Sequence, residues 1–212
     1  MASPKFTFDK KSQRYRFKTG DRAGQFVSKA KVRALIEERI QQERDAIDRL
    51  AVNLTNRSIK LKNFEEGMAK RIKQLHIQSY LLGKGGEGNY DSTGDRAAMQ
   101  SIIERQYRYL RGFTTDIRDG KLTVAQIKAR AKMYAAAAYG SQQRGTASGH
   151  RESDRYNYEK NVLGDADHCI DCEYLSFRGV VPIGQISAIN PPGTRVCKVN
   201  CRCHIEFYIE KP

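Results

Sequence analysis

Apolar residues recur at steps of three and four along the first part of the chain. From Lys29 to about Arg57 they include Val32, Leu35, Ile36, Ile40, Ile47, Leu50, Ala51 and Leu54. This spacing predicts an amphipathic helix, for which Ser28 is a suitable N-cap. The stripe of Phe64, Met68, Ile72 and Leu75 predicts a second helix, which begins at Asn63 and ends at Gly83, Gly85 and Gly86.

Two further helices follow from the same periodicity. Met99, Ile102, Ile103 and Leu110 predict a third helix from about Asp95 to Arg111. A fourth should begin at Thr123, because Thr123 and Gln126 have capping-box spacing, and should continue through Ile127, Ala131, Tyr134, Ala135 and Ala138. The Gly-rich stretch at 83–95 lacks the spacing of a phosphate-binding loop and is interpreted as a connector.

The two ends of the chain differ from this helical part. Phe6 and Phe8, then Tyr15 and Phe17, alternate with polar residues and predict a possible hairpin within a basic arm at 1–28. The polar, Gly- and Ser-rich residues 141–160 are predicted to be a linker. Beyond them, Val180 to Ile183, Ile186 to Ile189, and the alternating Ile205, Phe207 and Ile209 predict short strands.

The predicted fold class is therefore α+β. A helical domain of about four helices at 29–140 is followed by a small Cys-rich, zinc-ribbon-like β module at 161–212. Hydrophobic residues make up 39% of the chain and charged residues 29%, a balance that excludes a disordered chain and a membrane protein. No apolar run approaches the ~20 residues of a membrane span, and Met1 to Lys11 lacks the apolar core of a secretory signal.

The positive charge is unevenly distributed. Of the net +14, residues 1–80 contribute +10 and residues 81–150 contribute +5, whereas residues 151–212 contribute −1. Such an excess favours a polyanion, most simply DNA bound without sequence preference. The candidate contacts crowd the amino-terminal end: Lys10, Lys11, Arg14, Arg16, Lys18, Arg22, Lys29, Lys31 and Arg33.

All five cysteines lie between positions 169 and 203. Cys169 and Cys172 form a C-x-x-C pair, and Cys197, Cys201 and Cys203 follow about 25 residues later. Two pairs of thiolates brought together in this way suit a structural zinc ion. The preferred ligands are Cys169, Cys172, Cys197 and Cys201, with Cys203, His204 and His168 as alternates.

Three other interpretations of the cysteines stay open: a C-x-x-C redox pair, one or two disulfides, or buried thiols. A thioredoxin-like pair needs a strand before it and a helix after it, whereas Gly179 and Pro182 soon follow Cys172 here. The sequence presents no persuasive Ser-His-Asp or Cys-His arrangement, so we expect no enzyme.

The cysteine-containing segments resemble a known family. The stretch VLGDADHCIDC, then Gly179, then PPGTRVCKVNCRCHIEF is similar to the carboxy-terminal signature of the Mu F-like phage minor head (head morphogenesis) proteins. That signature combines a C-x-x-C, a following Gly, a Pro/Gly turn and a closing C-x-C before a last strand. The resemblance covers roughly residues 120–210, and YRFKTGDRAGQFVS more weakly resembles a "TGRFV" opening of phage structural proteins.

The resemblance implies a virion component made in the host cytoplasm. It would lie in the capsid interior or at the portal vertex, in several copies, bound to the portal or the major capsid protein and facing packaged DNA. A free zinc-ribbon regulator that binds nucleic acid is the alternative. Such a regulator would place base-reading residues on its ribbon or on a defined helix, whereas the ribbon segment here is near neutral.

Overall fold

The computed structural model of the chain describes residues 6–9, 14–17, 23–86, 89–152, 155–165, 167–192, 195–197 and 201–212. Four long helices make up its front part: α1 (Lys29–Thr55), α2 (Leu61–Lys84), α3 (Gly94–Arg118) and α4 (Val124–Glu152). The carboxy-terminal part contains β4 (Tyr158–Val162), α5 (Ile170–Phe177), β5 (Val180–Pro182) and β6 (His204–Tyr208). The predicted α+β class is confirmed. None of the described helices has the length and hydropathy needed to cross a bilayer.

Local signals set most of the helix ends. The Ser28 side chain accepts a hydrogen bond from the backbone N–H of Lys31, and Thr123 and Gln126 form the predicted reciprocal capping box. Gly85 ends α2 in the left-handed conformation, with a φ of 90°. The predicted start of α2 at Asn63 is wrong, because the helix begins at Leu61. Leu61 packs against the main core, so burial rather than side-chain capping sets this end.

The main core lies where α2 packs against α1 and α4. The predicted stripe of α2 is fully buried there: Phe64, Met68, Ile72 and Leu75. Phe113 of α3 meets Phe64 edge to face and stacks on Tyr134 of α4, with ring centroids 5.9 Å apart in both pairs. Residues of all four helices therefore contribute to one core, whereas Met99 and Ile103 of α3 pack with Tyr80 in a smaller cluster.

The predicted linker is wrong over residues 141–152, which continue α4. Their small side chains allow α4 to pack directly on the backbone of α2. A Cβ added at Gly145 would lie 2.0 Å from the carbonyl oxygen of Tyr80, and one added at Gly83 would lie 1.9 Å from that of Gln142. The Gly- and Ser-rich composition therefore reflects close helix packing and not a flexible connection.

This close approach predicts opposite effects of alanine at two helical glycines. Gly145→Ala should destabilise the protein by about 1–3 kcal/mol, because the new methyl group must push α2 and α4 apart. Gly112→Ala is the matched control in α3, where an added Cβ meets nothing within 4 Å. It should stabilise by about 0.5–1 kcal/mol through helix propensity. Urea unfolding measures both variants, and equal unfolding free energies would contradict the packing.

A buried ion-pair cluster joins the ends of three helices beside the Gly-rich connector. Lys84, at the end of α2, pairs with Asp95 in the first turn of α3 and with Glu152 at the end of α4. Tyr80 donates a hydrogen bond to Asp95 at 2.5 Å, and the backbone N–H of Asp91 donates another at 2.6 Å. Because the Lys84 ammonium is fully buried and engaged by two carboxylates, it is not exposed for a phosphate ligand.

Each end of the chain forms a small antiparallel sheet. The predicted amino-terminal hairpin is confirmed: β1 (Phe6–Asp9) pairs with β2 (Arg14–Phe17), and β2 also pairs with β3 (Phe26–Val27). In the carboxy-terminal sheet, β4 is the central strand between β5 and β6. The strand predicted at Ile186 to Ile189 is wrong. These residues form turns, because the backbone N–H groups of Ile186 and Ser187 donate to the buried Glu159 carboxylate and not to a neighbouring strand.

Candidate metal centre

The C-x-x-C pair lies at the start of α5. Cys169 is the N-cap residue, and its carbonyl oxygen accepts hydrogen bonds from the backbone N–H groups of Cys172 and Glu173. The turn brings the two sulfur atoms to within 3.5 Å of each other. The carbonyl oxygen of Cys172 accepts a 3.0 Å hydrogen bond from Asn161 of β4, which fixes the start of α5 against the central strand.

The other three cysteines approach from the segment that leads into β6. The backbone N–H of Val196 donates to the Asp171 carboxylate of α5 at 3.0 Å, which holds the adjacent Cys197 near the C-x-x-C pair. Cys201 and Cys203 immediately precede β6 and are buried. A Cβ added at Gly164 would lie 2.3 Å from the carbonyl oxygen of Arg202, so only glycine allows the two chain segments to approach this closely.

The five sulfur atoms form two groups of three that share Cys172. The first contains Cys169, Cys172 and Cys197, and the second contains Cys172, Cys201 and Cys203. Within each group the sulfur atoms lie within 4.8 Å of one another, an arrangement that could hold a metal ion. The Cys172 sulfur is 3.5 Å from that of Cys169, 3.6 Å from that of Cys197 and 3.8 Å from that of Cys201.

The three separations from Cys172 match those between thiolates that bind the same ion. A tetrahedral centre with metal–sulfur bonds of ~2.3 Å has sulfur–sulfur edges of about 3.8 Å, whereas a disulfide needs ~2.05 Å. All five cysteines are unbridged in the structure. The geometry therefore brings together every cysteine that the sequence analysis selected, and it makes Cys172 the central member.

The two alternate histidines differ in position. The Nδ1 atom of His168 lies 3.8 Å from the sulfur of Cys203, at the edge of the second group. His204 is the first residue of β6, where it is exposed, and its Nε2 lies 3.6 Å from a Glu206 carboxylate oxygen. Of the two histidines, His168 is therefore the one that the structure places beside a cysteine sulfur.

Arg195 is a component of the site that sequence reasoning missed. It is 1% exposed, and its guanidinium donates to the Asn161 side chain at 2.8 Å, to the Asn190 carbonyl at 3.0 Å and towards the Cys172 sulfur at 3.5 Å. None of these contacts is with a carboxylate, and its Nη2 atom has no hydrogen-bond partner among the described residues. A buried cation needs a nearby anion, and Cys172 would supply one as a metal-bound thiolate.

The thiols differ in their readiness to ionise. Burial opposes ionisation of Cys169, but hydrogen bonds from the backbone N–H groups of Cys172 and Cys197 outweigh it and lower the pKa of Cys169 to about 7. Burial raises the pKa of Cys172 strongly, although Arg195 acts in the opposite direction. Burial likewise raises the pKa of Cys197 to about 12. Since metal ligands are thiolates, a bound cation would have to displace the protons of these buried thiols.

One argument against a redox pair is wrong. A strand, β4, does precede the C-x-x-C pair and a helix, α5, does contain it, because eight helical residues fit before Gly179. What distinguishes the site from an isolated dithiol is the further set of sulfurs around Cys172.

The carboxy-terminal module packs against the last turns of α4. The Tyr139 hydroxyl donates a 3.1 Å hydrogen bond to the carbonyl oxygen of Cys203, next to the sulfur cluster. The His150 ring lies between the rings of Tyr156 and Phe207, at centroid distances of 4.3 and 4.4 Å. α4 therefore contacts the module at two places, beside the sulfur cluster through Tyr139 and through His150 in the part of the helix that was predicted to be a linker.

The candidate nucleic-acid contacts of the amino-terminal arm are only partly described. Lys10, Lys11, Lys18 and Arg22 lie outside the described residues, and only the backbone is described for Arg14, Lys29 and Arg33. Lys31 is exposed in the first turn of α1. The Arg16 guanidinium donates to the carbonyl oxygen of Gly24 at 2.8 Å and lies 4.0 Å from the Phe26 ring centroid, so it contributes to the small sheet itself.

Comparisons of the chain with protein-family models, with curated proteins and with solved structures find no match.

Proposed function

We propose that the cysteine cluster is a structural zinc centre that holds the carboxy-terminal module together. Cys169, Cys172, Cys197 and Cys201 are the proposed ligands, and zinc is favoured because soft thiolates in a tetrahedral set suit it. The observation that carries this proposal is the position of Cys172, whose sulfur lies at tetrahedral-edge distances from those of the other three.

Two features of the surroundings support a structural role. The buried Arg195 guanidinium offers a positive charge to a centre in which four thiolates and one zinc ion carry two negative charges. The apolar core of the module is small, consisting of Leu175, Val181, Ile186 and Ile205 with Phe207 beside them. A segment with so small a core gains stability from a metal that joins its two halves.

The second candidate for the cysteines is a dithiol redox pair, which is favoured by the low pKa of Cys169 at a helix amino terminus. Such a pair would work without a resident metal and would cycle between dithiol and disulfide. Metal content therefore separates the two functions, because a filled centre engages both thiols of the C-x-x-C pair and leaves neither free for exchange.

We also propose that the whole protein is a minor structural component of a phage head. Support comes from the signature that resembles the Mu F-like minor head proteins. Its residues converge on one site: the C-x-x-C at the start of α5, and Cys201 and Cys203 ahead of β6. In this role the carboxy-terminal module is structural and does no chemistry. The proposed partner is the portal or the major capsid protein.

Mass spectrometry of purified phage particles tests the head assignment. The chain should be present in every particle preparation in a fixed number of copies relative to the portal protein. A matched sample of the lysate after particle removal serves as the control. Recovery of the chain in the particle-free lysate, and not in particles, would overturn the assignment and favour the free regulator.

The basic part of the chain, residues 1–150, is expected to bind the phosphates of DNA. Binding to duplexes of unrelated sequence should weaken steeply with salt, with a slope of log K against log salt of about −0.9 for each phosphate neutralised. The triple variant Lys29→Gln, Lys31→Gln and Arg33→Gln should flatten the slope by up to about 2.7. The control variant Arg178→Gln, Arg202→Gln and Lys211→Gln, in the near-neutral module, should leave it unchanged.

Fluorescence anisotropy of labelled duplexes measures these slopes on the full chain. A salt-insensitive interaction, or none, would contradict DNA binding by the front. A strong preference for one duplex sequence would instead support the regulator.

A further inference from the structure

The cysteine cluster contains more ligands than one tetrahedral ion can use. Five sulfur atoms and the Nδ1 atom of His168 are contiguous, yet a single structural zinc takes four ligands. The sulfurs are also divided into two groups of three that meet at Cys172, an arrangement that differs from one compact set of four. A single zinc ion therefore leaves two of these six donor atoms without a role.

We infer that the cluster binds two thiophilic divalent ions, one in each group of three sulfur atoms, and that they share Cys172. This inference rests on the proposed zinc centre and extends it. The first ion takes Cys169, Cys172 and Cys197. The second takes Cys201 from the single centre together with Cys172 and Cys203, and His168, which lies beside Cys203, is its fourth ligand.

The distances around the second ion support its three sulfur ligands. The Cys172 and Cys201 sulfurs are 3.8 Å apart, and the Cys203 sulfur lies within 4.8 Å of both. The Nδ1 atom of His168 is 3.8 Å from the Cys203 sulfur. Cys172, Cys201 and Cys203 are all buried, so a second ion would be enclosed by protein.

Charge balance gives a separate argument. Five thiolates and two divalent ions carry a net charge of −1, because His168 binds as a neutral imidazole. The buried Arg195 guanidinium in contact with Cys172 cancels that charge. With one zinc ion and four thiolates, the same arginine leaves a buried excess of −1, which is less favourable in a low-dielectric interior.

Native mass spectrometry of the full chain, purified under reducing conditions and saturated with zinc, counts the ions directly. The expected result is two zinc ions in the unaltered protein and one in both Cys203→Ser and His168→Ala. His204→Ala is the matched control, since the neighbouring histidine contacts Glu206, and it should retain two. Circular dichroism of each variant verifies that it is folded.

The possible outcomes separate the two proposals. One zinc ion in the unaltered protein would overturn the second site and leave the single centre in place. No zinc would overturn both. Two zinc ions whose number is unchanged by Cys203→Ser and His168→Ala would overturn the ligand assignment, because the second ion would then be bound elsewhere.

Discussion

Replacing Cys172 with serine is expected to empty the centre and unfold the carboxy-terminal module. Cys172 belongs to both groups of sulfurs, and its sulfur lies within 3.8 Å of those of Cys169, Cys197 and Cys201. Its loss also leaves the buried Arg195 without its sulfur contact. Because metal binding contributes about 10–16 kcal/mol in small zinc domains, the small module core cannot compensate.

Hydrogen exchange read out by mass spectrometry locates this effect. Amides of 155–212 should lose their protection in Cys172→Ser, whereas those of α2 and α3 should keep it, since the core around Phe64 and Phe113 is separate from the cysteine cluster. His204→Ala is the control, because the exposed His204 lies beside Glu206 and is not a proposed ligand, and it should keep full protection. A Cys172→Ser protein with full protection at 155–212 would show that the centre does not support the module.

Replacing Lys84 with methionine is expected to cost about 3–5 kcal/mol of unfolding free energy. The change leaves Asp95, which is 2% exposed, without its buried cation and removes the link between the ends of α2, α3 and α4. Lys62→Met, on the same helix, is the matched control. Its ion pair with Glu66 is exposed and 3.9 Å long, so its loss should change stability by less than about 1 kcal/mol.

The same cluster predicts a dependence on pH. Burial opposes ionisation of Asp95, but hydrogen bonds from Lys84, Tyr80 and the Asp91 backbone outweigh it and lower the pKa of Asp95. A carboxyl with a depressed pKa in the folded state stabilises the protein above its unfolded value of about 4. This stabilisation is lost as the pH falls below that value, and the loss should be smaller in Lys84→Met. Urea unfolding at several pH values measures both effects, and equal stabilities of Lys84→Met and Lys62→Met would contradict them.

The sequence predicts the helical front well because burial there follows helical periodicity. Ile72 and Leu75 repeat at helical spacing and are fully buried, and the Thr123–Gln126 capping box forms as expected. The linker prediction at 141–152 is wrong because composition is misleading there. Glycine and serine are typical of loops, but Gly145 allows the backbone of α4 to contact that of α2 at Tyr80. This contact depends on a partner distant in the chain.

The central strand of the module, β4, is not predicted from the sequence because its polar residues are the buried ones, the reverse of the usual alternation. Glu159 and Asn161 of β4 are fully buried, whereas Tyr158, Lys160 and Val162 are partly exposed. The two buried polar side chains bind the Ile186 turn and Arg195, respectively, so their polarity serves contacts that alternation alone cannot indicate. The cysteine cluster was identified because thiol spacing is a strong signal, but the contribution of Arg195 has no counterpart in the spacing.

Elemental analysis of the full chain, purified under reducing conditions and combined with thiol titration, tests whether the cysteines bind a metal. We expect at least one equivalent of zinc per chain, with all five cysteines titrating as thiols once the unfolded protein is freed of metal by a chelator. Less than half an equivalent of zinc together with an absence of free thiols would mean that the cysteines form disulfides, and would contradict the metal centre.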